Sequence, residues 1–324
     1  MESKLIEVSD LKVSFYYEKG SIQVVRGFDI ELNKGEIVGI LGESGSGKTV
    51  SSSSIIRLID EVVGRIDSGE VIFEGKDLLK ASEEELKKIR GNKISYIFQN
   101  SSAALNPYKT IGKQLGEVLK THSLTNTKEY VLNKLGEVGI DEAERIYNSY
   151  PFQLSGGQNQ RIMIAQCILC NPELLIADEP TSSIDASLQK TVLDLLRDIS
   201  SKNDMSVIII THDFGVAKYL CHRLMIMYGG LVVEEGTIEQ IVNAPFHPYT
   251  KELIKCSNSL AQDEDIMYFI EGTPPTAHQF KDECPFYSRC KLREPACTYG
   301  IPEFRRINDR KVRCILFEEE VSKA

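Results

Sequence analysis

The residues of this sequence with the clearest chemical potential form a glycine-rich loop. Residues 42–49, Gly-Glu-Ser-Gly-Ser-Gly-Lys-Thr, match the pattern G-x-x-x-x-G-K-[ST] at every fixed position. A loop of this kind turns its backbone N–H groups towards phosphate oxygens, and the helix that follows presents its positive end to an anion. The complete pattern disfavours the alternative, a Gly/Ser loop that binds nothing. The predicted phosphate ligands are Ser44, Gly45, Ser46, Gly47 and Lys48, with the Thr49 hydroxyl on Mg²⁺.

Two acidic residues follow the apolar run Leu174-Leu175-Ile176-Ala177. In open α/β sheets, ligands bind at the carboxyl ends of the strands, which is where Asp178 and Glu179 would lie. We expect Asp178 to contact Mg²⁺ and Glu179 to act as the base that polarises an attacking water.

A second apolar run, residues 206–211, would bring His212 to the same edge of the sheet. An isolated histidine is more often structural than catalytic, but this placement favours a catalytic role.

The segment 154–158, Leu-Ser-Gly-Gly-Gln, precedes another stretch with helical apolar spacing. A serine and two glycines at a helix start present free N–H groups, so Ser155, Gly156, Gly157 and Gln158 predict a second anion-receptive helix N-terminus. Taken alone, Ser-Gly-Gly is also an ordinary helix start.

The elements that must position these residues follow an α/β pattern. Residues 36–41 form an apolar run directly before the loop, which predicts a buried strand. About 130 residues separate the loop from Asp178, too many for one crossover connection. Helical apolar spacing at Glu83–Ile89, Gly112–Lys120 and Tyr130–Val138 therefore predicts a helical insertion.

Four of the eight cysteines lie near the C-terminus: Cys284, Cys290, Cys297 and Cys314, spaced C-x5-C-x6-C-x16-C. Structural zinc sites usually contain short C-x2–4-C pairs, which this stretch lacks, whereas four thiolates without histidine suit a [4Fe–4S] cluster. Residues 281–313 carry nine basic and five acidic side chains, and this positive excess would offset an anionic cluster. We predict iron–sulfur ligation, with zinc as the second choice and free or disulfide-linked thiols as the third.

With 324 residues, 42% apolar and 26% charged, the chain has the composition of a globular protein of about two domains. Its longest apolar runs fall short of the ~20 residues that cross a bilayer, and Met1-Glu2-Ser3-Lys4 does not begin a secretion signal. The net charge of -9 disfavours a general nucleic-acid binder. We expect a cytoplasmic chain that does not cross a membrane by itself.

In their order along the chain, these motifs resemble those of the ATP-binding cassette (ABC) family over about residues 5–240. By this resemblance, residues 42–49 are the Walker A loop, 154–158 the signature and 174–179 the Walker B strand. Gln99 resembles the Q-loop glutamine, a Mg²⁺ ligand together with Thr49 and Asp178, and His212 resembles the switch histidine. The D-loop falls at residues 182–185, which places Asp185 at the nucleotide, and Phe15, Tyr16 or Tyr17 would stack on adenine.

The fold implied by this resemblance is a P-loop NTPase core of RecA type with an antiparallel β subdomain and a helical subdomain. The implied cassette covers residues 1–243, with the helical subdomain at about 101–166, and an extension with the four cysteines covers 244–324. Two cassettes would close head to tail around two ATP molecules. Ser155, Gly156 and Gln158 would then contact the γ-phosphate held by the other cassette's Walker A loop.

Two segments resemble the dipeptide and oligopeptide importer ATPases in particular. The first is residues 99–107 with Thr110-Ile111-Gly112, and the second comprises residues 245–250, 272–275 and 284–290. Some peptide-importer ATPases are thought to carry a cluster in this extension, which agrees with the prediction from the cysteines.

The resemblance thus implies an ATP-hydrolysing subunit, with ATP and Mg²⁺, that powers import of dipeptides or oligopeptides from the cytoplasmic face of the membrane. The expected partners are a second ATPase subunit (a paralogue), two membrane-spanning permease subunits and an extracytoplasmic peptide-binding protein, with no nucleic acid. The alternatives are a nickel importer ATPase of the same family and a soluble ABC ATPase of DNA repair or translation.

Overall fold

A computed structural model describes residues 4–18, 20–99, 104–125, 127–182, 186–261 and 268–317 of the chain. Within these ranges the strands are β1 (Lys4–Tyr17), β2 (Gly20–Asn33), β3 (Ile37–Leu41), β4 (Gly64–Phe73), β5 (Lys76–Asp77), β6 (Ile94–Ile97), β7 (Leu174–Asp178), β8 (Ser206–Thr211), β9 (Arg223–Tyr228), β10 (Leu231–Thr237), β11 (Arg305–Ile307) and β12 (Arg310–Val312). The α-helices are α1 (Lys48–Ser54), α2 (Glu83–Ile89), α3 (Ile111–Thr121), α4 (Lys128–Glu137), α5 (Ala143–Asn148), α6 (Gly156–Ile168), α7 (Ala186–Asn203), α8 (Phe214–Leu220), α9 (Ile238–Asn243) and α10 (Pro248–Ala261).

The chain divides into two compact units. The first unit contains residues 33–36 and 80–209, and the second contains residues 4–32, 37–79 and the chain from residue 210 onwards. The sequence-based division into a cassette (1–243) and an extension (244–324) is a different one, because it follows motifs and not contacts, and it stays a prediction. None of the described helices has the length and apolar character needed to cross a membrane.

The first unit combines a parallel sheet with packed helices. Its strands lie in the order β8-β7-β6, with β6 and β7 parallel and Ile94 opposite Leu174. Helices α3 to α6 pack against one another, and α3 buries Ile111, Leu115 and Leu119 at i, i+4 and i+8. Burial of one such side chain stabilises the fold by about 1.5–3 kcal/mol. The three predicted helical stretches are confirmed as α2, α3 and α4.

The second unit contains two sheets. One is an antiparallel sheet in the order β2-β1-β4-β5, in which β4 pairs antiparallel with both β1 and β5. The other has the order β11-β12-β10-β9-β3, with β3 parallel to β9 and β10 antiparallel to β9. All five residues of β3 are buried, as the sequence predicted for the strand before the glycine-rich loop.

The described C-terminal segment, residues 244–261 and 268–317, belongs to the second unit. An aromatic cluster joins it to β9, because the ring of Tyr228 lies 4.6 Å from Tyr249 and 5.2 Å from Phe286. All three side chains are fully buried. Strand β12 also extends the sheet by pairing antiparallel with β10. The C-terminal segment is thus packed against the same sheet that carries the glycine-rich loop.

Candidate nucleotide site

The glycine-rich loop runs from the end of β3 to the start of α1. Gly45 and Gly47 have φ values of 79° and 100°, in the left-handed region that favours glycine. A Cβ on Gly42 would lie 2.3 Å from the backbone oxygen of Met227, so the turn requires glycine there too. The sequence pattern is therefore dictated by the curl of the backbone.

Lys48 lies inside this curl. Its Nζ donates to the backbone oxygens of Gly42 at 2.8 Å and Glu43 at 3.0 Å. The hydroxyl of Ser46 is buried and has no hydrogen-bond partner within the described part of the chain, whereas Ser44, Gly45 and Thr49 face solvent. A loop with an ammonium inside, a buried hydroxyl without a partner and an exposed threonine fits an anionic phosphate chain with Mg²⁺.

In the first unit, the structure brings together three of the predicted catalytic and Mg²⁺ residues. Nε2 of Gln99 donates to Oε2 of Glu179 at 2.6 Å. Asp178 ends β7 and is 3% exposed, and it accepts a hydrogen bond at 3.3 Å from the hydroxyl of Tyr96. The backbone of Glu179 has φ 46°, a conformation that costs a residue other than glycine about 1–3 kcal/mol. Stored strain of this kind is typical of residues held for a function.

His212 and the Walker A loop belong to the second unit. His212 follows β8 and is exposed. The next residue, Asp213, caps α8 by accepting hydrogen bonds from the N–H groups of Gly215 at 2.7 Å and Val216 at 3.3 Å. The cap fixes the backbone next to His212 and leaves its imidazole facing solvent.

The signature residues form the N-terminus of α6, as predicted. Ser155 Oγ accepts from the N–H of Gln158 at 3.2 Å, and Gln158 Oε1 accepts from the N–H of Ser155 at 3.1 Å. This reciprocal capping box leaves other N–H groups of the first turn available. Ser155 and Gly156 are exposed, so an anion from another molecule can reach them; Gly157 lies in the same turn.

The predicted adenine-stacking residues remain alternatives. Phe15 is half-buried, while Tyr16 and Tyr17 are each 46% exposed. The ring of Tyr17 packs edge-on against His278, with 5.5 Å between centroids. Asp185 of the predicted D-loop lies outside the described residues, as do residues 183 and 184.

The four C-terminal thiols are free, and Cys284, Cys290 and Cys297 are buried. The N–H of Cys284 donates to the backbone oxygen of Cys297 at 2.9 Å. Burial, together with the neighbouring thiols, raises the pKa of Cys284 to about 12 and that of Cys314 to about 11.

These surroundings do not match the predicted cluster. Across the described residues, which include all four cysteines, no group of three or more His, Cys, Asp or Glu side chains is arranged to hold a metal ion. The iron–sulfur and zinc predictions therefore find no support in this arrangement.

One cluster of contacts was missed by the sequence analysis. Glu43, the second residue of the Walker A loop, forms an ion pair with Arg289 of the C-terminal segment, with 2.6 Å between Nη1 and Oε2. Its backbone N–H donates to the hydroxyl of Tyr249 at 3.0 Å. The signal present in the sequence was the acidic side chain itself, because a carboxylate near bound phosphates repels them unless an opposite charge balances it.

The curled loop with its internal lysine, the Asp-Glu pair after β7 and the capped helix at Ser155 define a P-loop nucleotide-binding protein. Comparison with known proteins narrows this class. The family described as "ABC transporter" matches residues 25–182, and the family described as "Oligopeptide/dipeptide transporter, C-terminal region" matches residues 233–297.

Relatives match over nearly the whole chain. The oligopeptide transport ATP-binding protein AppD of Bacillus subtilis is 41% identical, and the match covers 98% of both chains. The dipeptide transport ATP-binding protein DppD of the same organism is 40% identical over 99% of this chain and 97% of its own. The chain therefore belongs to the ABC transporter ATP-binding proteins, and it is an ATP-hydrolysing transporter subunit that uses ATP with Mg²⁺.

A solved structure supports the same fold. A dimeric ATP-binding cassette in a post-hydrolysis state, bound to ADP and Pi, superposes with a TM-score of 0.64 at 27% identity, covering 72% of this chain and 98% of that one. The ABC cassette fold predicted from the motifs is thus confirmed.

Proposed function

We propose that this chain is the ATPase subunit of an importer of oligopeptides or dipeptides. The observation that carries the proposal is the match at both ends of the chain, to the cassette at residues 25–182 and to the peptide-transporter C-terminal region at 233–297. Full-length relatives named for oligopeptide and dipeptide transport support the same substrates. A nickel importer of the same family is the alternative cargo.

The residues of the site have separate roles in ATP hydrolysis. The Walker A backbone and Lys48 bind the phosphates. Thr49, Asp178 and Gln99 would hold Mg²⁺, which neutralises charge on the β- and γ-phosphates. Glu179 polarises the attacking water, and its bond to Gln99 at 2.6 Å fixes the carboxylate. His212 contacts the γ-phosphate.

A second cassette completes the site in this proposal. Ser155, Gly156 and Gln158 of one copy bind the γ-phosphate on the partner cassette, which is the reason for an exposed, capped helix N-terminus at α6. The dimeric state of the solved cassette with ADP and Pi supports this arrangement. Hydrolysis removes charge that bridges the two cassettes, and the dimer opens.

Membrane subunits would bind to the first unit. A groove of about 480 Å³ there is lined by Tyr96, Phe98, Lys109, His122 and Met163, among others. Phe98 is 52% exposed, and exposed aromatic side chains in a groove favour a protein partner. We propose that a cytoplasmic helix of one permease subunit binds this groove and holds the chain at the cytoplasmic face of the membrane, with an extracytoplasmic peptide-binding protein delivering the cargo.

We also propose that the four C-terminal thiols bind an iron–sulfur cluster, which can be tested directly. The proposal rests on the four thiols of the C-terminal segment, which influence each other's pKa. Protein purified without oxygen should then show visible absorption, iron and acid-labile sulfide. A colourless, iron-free sample that contains zinc would favour the zinc alternative, and a metal-free sample would leave free thiols.

Import is tested with the full chain and its partners. The tagged protein should copurify with integral membrane proteins from detergent extracts, and the complex in liposomes should take up labelled peptide only with ATP. Lys48→Ala should abolish nucleotide binding and uptake, because the phosphates lose their ammonium partner. Copurification of nucleic acid or ribosomes without membrane proteins would contradict the importer and favour a soluble ABC ATPase, and uptake of Ni²⁺ in place of peptide would identify the cargo as nickel.

A further inference from the structure

Glu43 places a negative charge within the loop that must bind a negative ligand. It follows Gly42 and precedes the residues whose N–H groups surround the phosphates. A carboxylate close to a triphosphate weakens binding by repulsion unless its charge is balanced. The loop therefore needs a cation that is not used to bind ATP, and Lys48 is already committed to the phosphates.

Arg289 supplies such a cation from a distant part of the chain. Its guanidinium forms a bidentate ion pair with the carboxylate of Glu43, with Nη1 to Oε2 at 2.6 Å and Nη2 to Oε1 at 3.2 Å. The Arg289 side chain is only 4% exposed, and that of Glu43 is 26% exposed. A paired, largely buried geometry of this kind is stronger than a surface ion pair.

The C-terminal segment and Tyr228 of β9 also fix the direction in which Arg289 points. Nη2 donates to the backbone oxygen of Ile270 at 3.2 Å, Nε donates to that of Glu271 at 3.0 Å, and Nη1 donates to the hydroxyl of Tyr228 at 3.2 Å. All three nitrogens are thus engaged. The guanidinium cannot leave Glu43 without breaking several hydrogen bonds, so the pairing is built into the fold.

Glu43 is held at its backbone as well. Its N–H donates to the hydroxyl of Tyr249 at 3.0 Å, and its carbonyl accepts from Nζ of Lys48 at 3.0 Å. Two of the three groups that hold Glu43, Tyr249 and Arg289, therefore come from the C-terminal segment. The third is the loop's own phosphate-binding lysine.

We propose that Arg289 is the counter-charge of the Walker A loop: it neutralises Glu43, so that the C-terminal segment sets the affinity of the cassette for ATP. The inference rests on the proposed nucleotide site but not on the identity of the cargo. Arg289 is a positioning residue in this role, because it acts through Glu43 and does not contact the nucleotide.

The test measures binding of a non-hydrolysable ATP analogue with Mg²⁺ by titration calorimetry on the full chain. Arg289→Ala should raise the Kd about tenfold at low salt, the scale expected when one charge contact near the surface becomes unbalanced. Adding Glu43→Gln to that variant should restore the Kd to within about twofold of wild type. Glu43→Gln alone should bind at least as tightly as wild type. Lys291→Ala, which removes an exposed charge from the same segment, should leave the Kd unchanged.

Ionic strength separates charge balance from packing. Raising the salt from 0.05 M to about 0.5 M shortens the Debye length to about 4 Å, so the defect of Arg289→Ala should shrink. A double variant that binds as weakly as Arg289→Ala, or Glu43→Gln alone binding as weakly, would overturn the proposal in favour of a packing role. Thermal unfolding without nucleotide checks that each variant folds. If Arg289→Ala does not fold, Arg289→Met, which removes the charge but keeps a long apolar side chain, replaces it in the single and double variants. Wild-type protein that binds no nucleotide would instead refute the proposed function.

Discussion

At the scale of single residues, the candidate site residues could be named from the sequence, but the ion pair at Glu43 could not. Lys48, Asp178 and Glu179 were predicted because phosphate and Mg²⁺ chemistry restricts the residue types at fixed spacing. Arg289 was not, because it lies 246 positions from Glu43 in sequence, and no local pattern links the two. The four cysteines differ from these residues: their spacing predicted ligation, but no group of three or more His, Cys, Asp or Glu side chains in the described part of the chain is arranged to hold a metal ion.

Glu179 carries the first prediction at this scale. Glu179→Gln should lower the rate of ATP hydrolysis at least about 100-fold, because the amide cannot act as a base. ATP should still bind, since the Walker A loop is unchanged. Phosphate release and filter binding measure the two properties. Glu129→Gln, an exposed change on α4, is the matched control and should hydrolyse ATP at the wild-type rate. Hydrolysis by Glu179→Gln at that same rate would show that another group is the base.

At the scale of secondary structure, apolar spacing and caps made helices predictable. Helix α2 has the predicted bounds, Glu83–Ile89, because a capping box between Ser82 and Glu85 starts it and its apolar residues recur with helical period. Strands β11 and β12 were not predicted, because three residues are too few for a period to show. Their pairing with β10 comes from tertiary packing.

The capping boxes of α2 and α6 give a matched pair of variants. Ser155→Ala and Ser82→Ala each remove an N-cap, so each should lower the free energy of unfolding by about 1 kcal/mol. Only Ser155→Ala should also weaken ATP-dependent dimerisation, because Ser155 is proposed to bind the partner's γ-phosphate. Analytical ultracentrifugation with ATP, in a Glu179→Gln background, measures the dimer. Equal dimerisation by both variants would show that Ser155 acts only as a helix cap.

At the scale of the whole molecule, the C-terminal segment is part of the unit that carries the Walker A loop. The boundary predicted after residue 243 follows the positions of the sequence motifs. The contacts between residues group the described part of the segment with residues 4–32 and 37–79. The sequence could not reveal this, because the aromatic cluster of Tyr228, Tyr249 and Phe286 joins residues far apart in the chain.

A buried histidine at this junction makes the stability of the molecule depend on pH. His247 is 1% exposed. Its ring Nδ1 accepts from the backbone N–H of Tyr249 at 3.1 Å, and its backbone N–H donates to Oε2 of Glu234 at 2.9 Å. Burial, with the nearby charges of Arg313 and Lys251, lowers the pKa of His247 to about 3. The histidine therefore stays neutral in the folded state and gains a proton only on unfolding.

The sign of the effect follows from this difference. A folded-state pKa below the unfolded value of about 6.5 gives stability that is complete above pH 6.5 and is lost as the pH falls towards 3. One proton taken up on unfolding lowers the free energy of unfolding by about 1.4 kcal/mol per pH unit. Burial raises the pKa of Glu234 above its ordinary 4.5. Above about pH 4.5 unfolding therefore releases a proton from this carboxyl, so its effect on the free energy of unfolding is opposite in sign to that of His247.

Urea unfolding at pH 7.5 and pH 5.5 measures this loss. His247 should account for a loss of about 1.4 kcal/mol between these values, most of it below pH 6.5. In His247→Asn the amide oxygen can still accept from the N–H of Tyr249, but the side chain at position 247 no longer titrates. The part of the loss that comes from His247 should therefore disappear. Equal pH dependence of wild type and His247→Asn would mean that acid weakens the molecule elsewhere. The predicted difference would make His247 the group through which acid loosens the junction that holds Tyr249 against the Walker A loop.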